Sequence, residues 1–150
     1  MKINWHIKHF NELSAKEFHD LLQLRLEVFV VEQNCVYQDL DGKDLISFHV
    51  LAEDLNGKVV ATARVIPINE LKVEIGRVVV NNSFRKDGIG QKLMKETIQQ
   101  IERLFGAVQI KISAQKYLLN FYLALGFIAT KNEYLEDGIP HIEMNLNLKK

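Results

Sequence analysis

The N-terminal part of the chain combines a short alternating pattern with a longer helical one. Residues 3–8 alternate weakly between apolar and polar side chains, which predicts a first strand. Ser14 and Glu17 have the spacing of a capping box, which satisfies two backbone amides at the start of a helix. Apolar residues then recur at helical spacing and predict a helix over residues 14–32. They are Phe18, Leu21, Leu22, Leu24, Val28 and Phe29.

A polar loop and a hairpin pattern follow this helix. Residues 34–44 are polar and rich in turn-forming residues, and a loop of this length is more often functional than idle. Two strand-like runs, residues 47–54 and 58–66, are separated by a segment that contains Asn56-Gly57. Because Asn-Gly is the strongest short-range signal for a tight turn between strands, the two runs predict a β-hairpin.

A third strand and a long amphipathic helix come next. Pro67 is expected to end the second strand of the hairpin, and residues 72–80 form the next strand pattern. Gly76 lies inside this pattern, where glycine often marks a β-bulge or a close backbone approach. Residues 88–105 carry one apolar stripe at helical spacing, which predicts a helix. The stripe consists of Leu93, Met94, Ile98, Ile101, Leu104 and Phe105.

The last third of the chain again alternates between strand and helix patterns. Its predicted elements are a strand over residues 107–113, a short helix over 115–125, and strands over 126–135 and 141–148 joined by an Asp-Gly turn. The full order, β-α-β-β-β-α-β-α-β-β, predicts a single α/β domain over residues 1–150. Its sheet is expected to be mixed and largely antiparallel.

Composition and charge narrow the class of protein. The chain has 150 residues, of which 47% are hydrophobic and 25% charged, and its formal net charge is zero. This balance disfavours a dedicated nucleic-acid-binding or membrane-surface protein. No run of 18 apolar residues occurs and the first residues lack the apolar core of a signal peptide, so we expect a cytoplasmic protein. Cys35 is the single cysteine, which excludes an intramolecular disulfide and a Cys-rich zinc site.

The sequence RKDGIG, residues 85–90, stands between the third strand and the long helix. It completes neither the dinucleotide-binding fingerprint nor the P-loop pattern. Glycines still let a backbone approach a ligand closely, and the first amides of a helix are unpaired and attract anions. On the local pattern alone, a pyrophosphate cradle and an Asp-Gly turn that caps a helix are equally good interpretations.

Two motifs of the chain resemble those of the GNAT acyltransferase superfamily. RKDGIG fits its pyrophosphate loop, in which Arg or Gln is followed after two residues by Gly-x-Gly or Gly-x-Ala. NFYLALGF, residues 120–127, fits its second signature, an aromatic pair followed by Gly-Phe. Both motifs lie on matching predicted elements. The resemblance favours the cradle over the simple turn, and it implies a central mixed, mostly antiparallel sheet of about seven strands flanked by helices.

The resemblance extends over nearly the whole chain and narrows to the ElaA-type branch of the superfamily. Residues 24–44 and 136–144, together with His49, carry the likeness to this branch. The branch usually has proline where Val36 stands here, a difference that affects only the stiffness of the loop. What the resemblance implies is an N-acetyltransferase that moves an acetyl group from acetyl-CoA directly to a primary amine, without a metal.

The same resemblance implies where acetyl-CoA, as co-substrate, would bind. The loop amides would hold the pyrophosphate, and the strand after Gly76 would bind the pantetheine arm. A backbone N–H of Val79 or Val78 would face the thioester carbonyl and stabilise its oxyanion. The expected cofactor-binding residues are Val78, Val79, Val80, Arg85, Lys86, Asp87, Gly88, Ile89, Gly90, Asn120 and Tyr122.

Two side chains are candidates for proton transfer. The resemblance implies that Tyr122 protonates the leaving thiolate, and histone-type relatives carry a catalytic glutamate where Glu74 stands. On the pattern alone, Tyr122 in an apolar segment is more often a core residue. Glu74 is equally well explained as a strand carboxylate in solvent or paired with an arginine.

The acceptor side is expected to include Glu32, Asp41, His49 and His141. The carboxylates of the loop would favour a cationic acceptor, either a small-molecule amine or a protein amine. A solvated loop with an Asp-Gly turn explains the same residues equally well. The spacing of Asp41, Asp44 and His49 fits no usual pattern of metal ligands.

Two other functions compete with the enzyme. One is a non-catalytic module that binds coenzyme A as a sensor or interaction surface. The combination of Tyr122 with an intact glycine loop favours the enzyme, because a sensor needs only the loop. The other is an RNA-associated domain, which the neutral charge disfavours. The sequence does not specify the acceptor or the oligomeric state, and a homodimer is one of the states that it permits.

Overall fold

A computed structural model describes residues 2–149 of the chain. Its helices and strands are β1 (Asn4–His9), α1 (Ala15–Leu26), β2 (Phe48–Glu53), β3 (Val59–Asn69), β4 (Lys72–Val80), α2 (Ile89–Phe105), β5 (Gln109–Gln115), α3 (Leu119–Ala124), β6 (Ile128–Glu136) and β7 (Ile139–Asn147). The strands form one sheet in the order β1-β2-β3-β4-β5-β7-β6. β4 and β5 are parallel, and the other neighbouring pairs are antiparallel. The predicted α/β class and mixed, mostly antiparallel seven-stranded sheet are confirmed.

The capping box predicted at the first helix is present. Ser14 Oγ accepts a hydrogen bond from the Glu17 amide at 3.0 Å, and Glu17 Oε1 accepts one from the Ser14 amide at 2.9 Å. The predicted helix over 14–32 is regular only as far as Leu26, because Glu27–Glu32 forms a wider π-helical turn. Such turns are frequent at functional sites. This one directs the chain toward the cavity described below.

The second hairpin strand extends further than predicted. β3 continues through Pro67, which pairs with Val73 of β4, and ends at Asn69. The expectation that Pro67 ends the strand is therefore wrong. β2 begins at Phe48, opposite Val65, so beyond that point β3 has only β4 as a neighbour within the described chain. A strand with one free side tolerates a proline, which lacks an amide hydrogen for the ladder.

Two apolar clusters pack on opposite faces of the sheet. Val50 and Ala52 of β2 belong to a large cluster with α2, whereas Leu51 between them belongs to a smaller cluster with α1. This alternation follows from the two-residue period of a strand. Within residues 2–149, no helix is both long and apolar enough to cross a membrane.

Candidate active site

A cavity opens where β4 and β5 separate. Their parallel pairing runs from Lys72–Gln109 to Ile75–Ile112, although both strands continue beyond these pairs. The space between them is a cavity of about 550 Å³. Since both strands lie inside the sheet, the divergence exposes backbone that a continuous ladder would have used.

A β-bulge in β4 shapes one wall of this cavity. Thr62 of β3 pairs with Val79, whereas Arg64 pairs with Gly76, so β4 has one extra residue between the two pairs. Arg77 has a φ angle of 50°, which is uncommon for a residue other than glycine. The irregularity predicted at Gly76 is confirmed, with the left-handed residue at the next position. Val78, Val79 and Val80, all predicted to bind the cofactor, line the cavity.

The glycine loop lies at one end of the cavity. Residues 82–87 form a 3-10 turn, and Gly88, with a φ angle of 71°, precedes the first turn of α2. No side chain caps this end of the helix, so its first amides are left for an anion. A Cβ atom on Gly90 would lie 3.7 Å from Val80 Cγ2 and 3.9 Å from Phe121 Cζ. There is room for a methyl group but a longer side chain would enter the cavity.

The predicted loop residues fall into three groups. Arg85 and Gly90 line the cavity; Lys86, Asp87 and Gly88 are exposed; and Ile89, the first residue of α2, is buried. Their backbone amides, rather than all of their side chains, are therefore what the loop can offer to a ligand.

Arg85 pairs with Glu32 at the same end of the cavity. Its guanidinium donates to both carboxylate oxygens of Glu32, at 3.0 Å for Nη2, and its Nε donates to the Val80 carbonyl at 3.1 Å. Both side chains are more than a third exposed. Arginine recognises carboxylate and phosphate with the same bidentate geometry. Glu32, predicted on the acceptor side, thus stands in the cavity wall beside the predicted phosphate site.

Tyr122 lies inside the cavity wall, on α3. Its side chain is 7% exposed and packs edge-on against Phe121 and Phe127. Burial, with a smaller contribution from Tyr117, raises the pKa of Tyr122 to about 12. The phenol therefore stays protonated at neutral pH and has a hydrogen to donate. Asn120, two residues earlier, is exposed and lies outside the cavity wall.

The loop after α1 is held by buried ion pairs. Arg25, 1% exposed, donates from Nε to Asp39 Oδ2 at 2.9 Å and from Nη1 to Asp44 Oδ1 at 2.8 Å. Asp41 accepts two hydrogen bonds from Arg64, at 2.9 and 3.1 Å. These pairs connect α1, the loop and β3.

The bulge residue joins the same group of charges. Arg77 Nε lies 2.9 Å from Asp39 Oδ1, and its Nη2 donates to the Asp39 carbonyl at 2.9 Å. Tyr37 donates to Asp39 Oδ1 at 2.6 Å and packs under the Arg77 guanidinium at 5.6 Å. We call this set the arginine–aspartate network; it consists of Arg25, Arg64, Arg77, Asp39, Asp41 and Asp44. Its charges balance, so the loop carboxylates are neutralised rather than free to attract a cation.

Two residues expected on the acceptor side are consequently outside the cavity wall. Asp41 is paired with arginines, and His49, 1% exposed, has its Nε2 3.1 Å from the Asp44 carbonyl. Burial lowers the pKa of His49, so its ring is neutral and donates to that carbonyl. In the part of the chain that the structure describes, no three His, Cys, Asp or Glu side chains are grouped as metal ligands.

The ion pairs of Asp41 predict a stability change in acid. Burial acts to raise the pKa of Asp41, but the Arg64 hydrogen bond, with further help from the Lys43 amide and Arg77, lowers it from 3.8 to about 2. A carboxylate with a lowered pKa in the folded state stabilises the fold above its unfolded pKa and loses this effect as the pH falls through the folded one. We expect the urea-midpoint difference between native protein and Asp41→Asn to shrink from pH 5 to pH 2.5.

Asp87→Asn, on the exposed turn before α2, is the matched control for this measurement. This substitution removes one surface carboxylate that lies outside the network. The difference between its urea midpoint and that of the native protein should stay the same from pH 5 to pH 2.5. A urea-midpoint difference for Asp41→Asn that stayed constant from pH 5 to pH 2.5 would contradict the lowered pKa of Asp41.

Glu74, the candidate base, does not line the cavity. It is half-buried on β4, between Ile66 of β3 and Lys111 of β5 in the sheet register. Its neighbour Ile75 does line the cavity, and consecutive strand side chains point to opposite faces. The alternation of the strand thus directs Glu74 away from the space that Ile75 faces.

His141 does line the cavity and is 6% exposed. Its Nδ1 lies 2.7 Å from the Ile139 carbonyl, and its Nε2 lies 3.3 Å from Glu136 Oε2. The ring stacks on Tyr134 with an interplanar angle of 13°. The Tyr134 hydroxyl is hydrogen-bonded to Ser113 Oγ of β5, another residue of the cavity wall.

The sequence analysis did not single out several residues of the cavity wall. The polar ones include Tyr37, Ser113, Tyr117, Glu136 and Asp137. Cys35, the single cysteine, also lies here, with its Sγ 3.9 Å from the Asp137 carbonyl. The functional loop and the Asp-Gly turn were both recognisable as segments. Nothing in their local patterns indicated that they would meet, since they are 102 residues apart.

Comparison with known proteins identifies the family. Residues 12–148 match the acetyltransferase (GNAT) domain. The chain belongs to the GNAT acetyltransferase family. It is 43% identical over 146 residues to protein ElaA of Escherichia coli, with 95% of each chain covered. It is also 44% identical over 142 residues to a UPF0039 protein of Schizosaccharomyces pombe, covering 94% of this chain and 95% of that one.

A solved structure supports the same assignment. An acyl-CoA N-acyltransferase from Pseudomonas aeruginosa is 43% identical and superposes with a TM-score of 0.91, covering 96% of this chain and 99% of its own. The resemblance to the GNAT superfamily and its ElaA-type branch is thereby confirmed, as is the GNAT fold. The GNAT domain and its relatives make this chain an acyltransferase.

Proposed function

We propose that this protein transfers an acetyl group from acetyl-CoA to a primary amine, by direct attack in a ternary complex. The observation that carries the proposal is a single cavity whose wall contains the bulged strand, one glycine of the loop and Tyr122. Attack on a thioester needs close placement, a donor for the oxyanion and proton transfers. The same cavity offers a residue for each need. The P. aeruginosa relative, described as an acyl-CoA N-acyltransferase, supports the choice of donor.

The glycine loop and Arg85 would hold the phosphates of acetyl-CoA. The first amides of α2 have no side-chain cap, Gly90 of this turn lines the cavity, and the helix dipole favours an anion there. Arg85 can exchange its bidentate contact with Glu32 for one with phosphate, because both groups are exposed. The residues present therefore fit a pyrophosphate group.

The bulge of β4 would supply the oxyanion donor. Arg77 and Val78 have no partner in the register with β3, and the pairing with β5 has already ended at Ile75. The Val78 amide is thus available to a thioester carbonyl in the cavity, with the amide of Val79 as the neighbouring option. Removing one such donor typically lowers kcat by about 100- to 1000-fold.

Tyr122 would donate its hydroxyl hydrogen to the leaving sulfur. With its pKa raised to about 12, complete transfer to a free thiolate of pKa about 8.5 is uphill by about 5 kcal/mol. The phenol therefore acts while the carbon–sulfur bond is breaking, as a hydrogen-bond donor to the developing negative charge. The final proton on the thiol then comes from water.

The substitution Tyr122→Phe tests this role. A hydrogen bond to a charged group contributes about 1.5–3 kcal/mol, so kcat should fall about 10- to 100-fold. The Kd for acetyl-CoA should stay within about two-fold, since the ring and its packing are kept. Thiol release with an amine panel gives kcat, and calorimetry gives Kd.

Tyr117→Phe is the matched control, because Tyr117 lines the same cavity but is 73% exposed. Removing the Tyr117 hydroxyl should leave kcat nearly unchanged. An undiminished kcat in Tyr122→Phe would show that the tyrosine is only a packing residue. Native protein that binds acetyl-CoA but releases no thiol with any amine would instead favour a coenzyme A-binding module.

A further inference from the structure

His141 is held in one orientation by its surroundings. Its Nδ1 lies 2.7 Å from the Ile139 carbonyl oxygen, which can only accept a hydrogen bond. The flat stack on Tyr134, whose hydroxyl is itself bonded to Ser113, restricts rotation of the ring. In the neutral imidazole, the proton must therefore be on Nδ1 and the lone pair on Nε2.

The lone pair of Nε2 is on the side of the ring that faces Glu136. The Glu136 carboxylate is 3.3 Å away and 52% exposed, whereas the His141 side chain is 7% exposed. An exposed carboxylate can move aside for a cation, or share it, while the buried ring stays in place. Once Nε2 carries a proton, the Glu136 carboxylate, 3.3 Å away, can accept a hydrogen bond from it.

We propose that Nε2 of His141 is the general base that deprotonates the acceptor amine, an inference that rests on the proposed function above. The acceptor ammonium loses one proton to Nε2, and the freed nitrogen lone pair forms the carbon–nitrogen bond with the thioester carbonyl. The carbon–sulfur bond then breaks, and its electron pair leaves with the sulfur. The second proton of the nitrogen and the proton on His141 return to water through the open mouth of the cavity.

The charges around His141 suit a cationic acceptor. β6 contributes Glu136 and Tyr134, and β5 contributes the uncharged Ser113 and Gln115. The titratable groups elsewhere in the cavity wall are Glu32, Cys35, Tyr37, Arg77, Arg85, Tyr117, Tyr122 and Asp137. Both arginines are paired, one with the network and one with Glu32. The carboxylates of Glu136 and Asp137 therefore give the mouth beside His141 its negative character.

The first test reads the tautomer and needs no acceptor. In 15N-detected NMR of the uniformly labelled full-length protein at pH 8.5, the His141 resonances should show a protonated Nδ1 and an unprotonated Nε2. His141→Asn assigns the resonances by their disappearance. A neutral ring with its proton on Nε2 would overturn the proposal whatever the turnover assay shows.

The second test is the pH profile of His141→Asn. The asparagine amide can keep the donor to the Ile139 carbonyl but has no lone pair in place of Nε2. With acetyl-CoA and 1,4-diaminobutane as probes, kcat/KM at pH 7 should fall at least about 100-fold. The deficit should narrow steadily toward pH 10, where the amine loses its proton without help. The Kd for acetyl-CoA should stay within about two-fold of native.

The outcomes separate this inference from the proposed function. A deficit that is the same at every pH would mean that His141 only supports the hairpin, and the base would have to be sought elsewhere. Glu136→Gln should show a smaller deficit at pH 7, since it removes the partner and keeps the base. Native protein that binds acetyl-CoA yet acetylates no amine would overturn the proposed function and this role together, even with the expected tautomer.

Discussion

Replacing Gly90 with glutamate is expected to abolish binding of acetyl-CoA without unfolding the protein. A Cβ at this position meets Val80 and Phe121 only at ordinary contact distances, so the backbone does not have to move. The rest of the side chain would extend into the cavity and bring a negative charge to the place proposed for the pyrophosphate. Lost space and charge repulsion together should weaken binding at least about 100-fold, equivalent to about 2.7 kcal/mol.

Calorimetric titration with acetyl-CoA measures this effect. Gly90→Ala is the matched control, because the methyl group fits the space between Val80 and Phe121 and adds no charge. It should bind within about ten-fold of native. Equal affinities of native protein and Gly90→Glu for acetyl-CoA would show that the phosphates do not bind at this end of the cavity. The loop would then be only a turn that begins α2.

Removing the charge of Arg25 is expected to cause the largest loss of stability among single substitutions in the network. In Arg25→Met the carboxylates of Asp39 and Asp44, 1% and 3% exposed, each lose their contact with Arg25. Breaking a buried ion pair from one side costs about 3–5 kcal/mol, because the remaining charge stays buried. For a domain of this size, the melting temperature should fall by roughly 10 °C.

Thermal unfolding at pH 7, followed by circular dichroism, checks this prediction. Arg103→Met is the control, since Arg103 is exposed on α2 and bonds only Gln100 among the described residues. Its melting temperature should change by no more than about 2 °C. A similarly small change for Arg25→Met would mean that Arg64 and Arg77 compensate fully for the lost charge.

The arginine–aspartate network that stabilises the fold also holds the β4 bulge, which contains the proposed oxyanion donor. Asp39 bonds Arg25 from α1 and also holds Arg77, the left-handed residue of the bulge. Positive φ is strained for arginine, and such strain persists where surrounding contacts fix it. The ion pairs thus help to keep β4 out of register with β3 beside Val78, whose amide faces the cavity in our proposal. Asp39 and Asp41 of the loop, which both contact Arg77, contribute to holding this strand.

Local patterns were sufficient for most of the architecture. The capping box at Ser14, the stripe of α2 and the alternating strands were predicted because each depends on neighbours a few residues apart. Pro67 was misjudged since its tolerance depends on where β2 begins, which the sequence of β3 does not contain. The end of α1 at Leu26 was missed because the π-helical turn leaves the apolar spacing almost unchanged.

The sequence by itself determined the order of strands and helices, which follows from periodicity, and the family, which follows from two motifs with fixed spacing. Only the tertiary structure decided what individual charges do. Asp41 and His49 lie outside the cavity wall because they bond partners up to 36 residues away. His141 lines the cavity because it lies on the β6–β7 hairpin. The physical reason is that the pairing of buried charges depends on contacts between distant segments, and residue types along the chain do not specify those contacts.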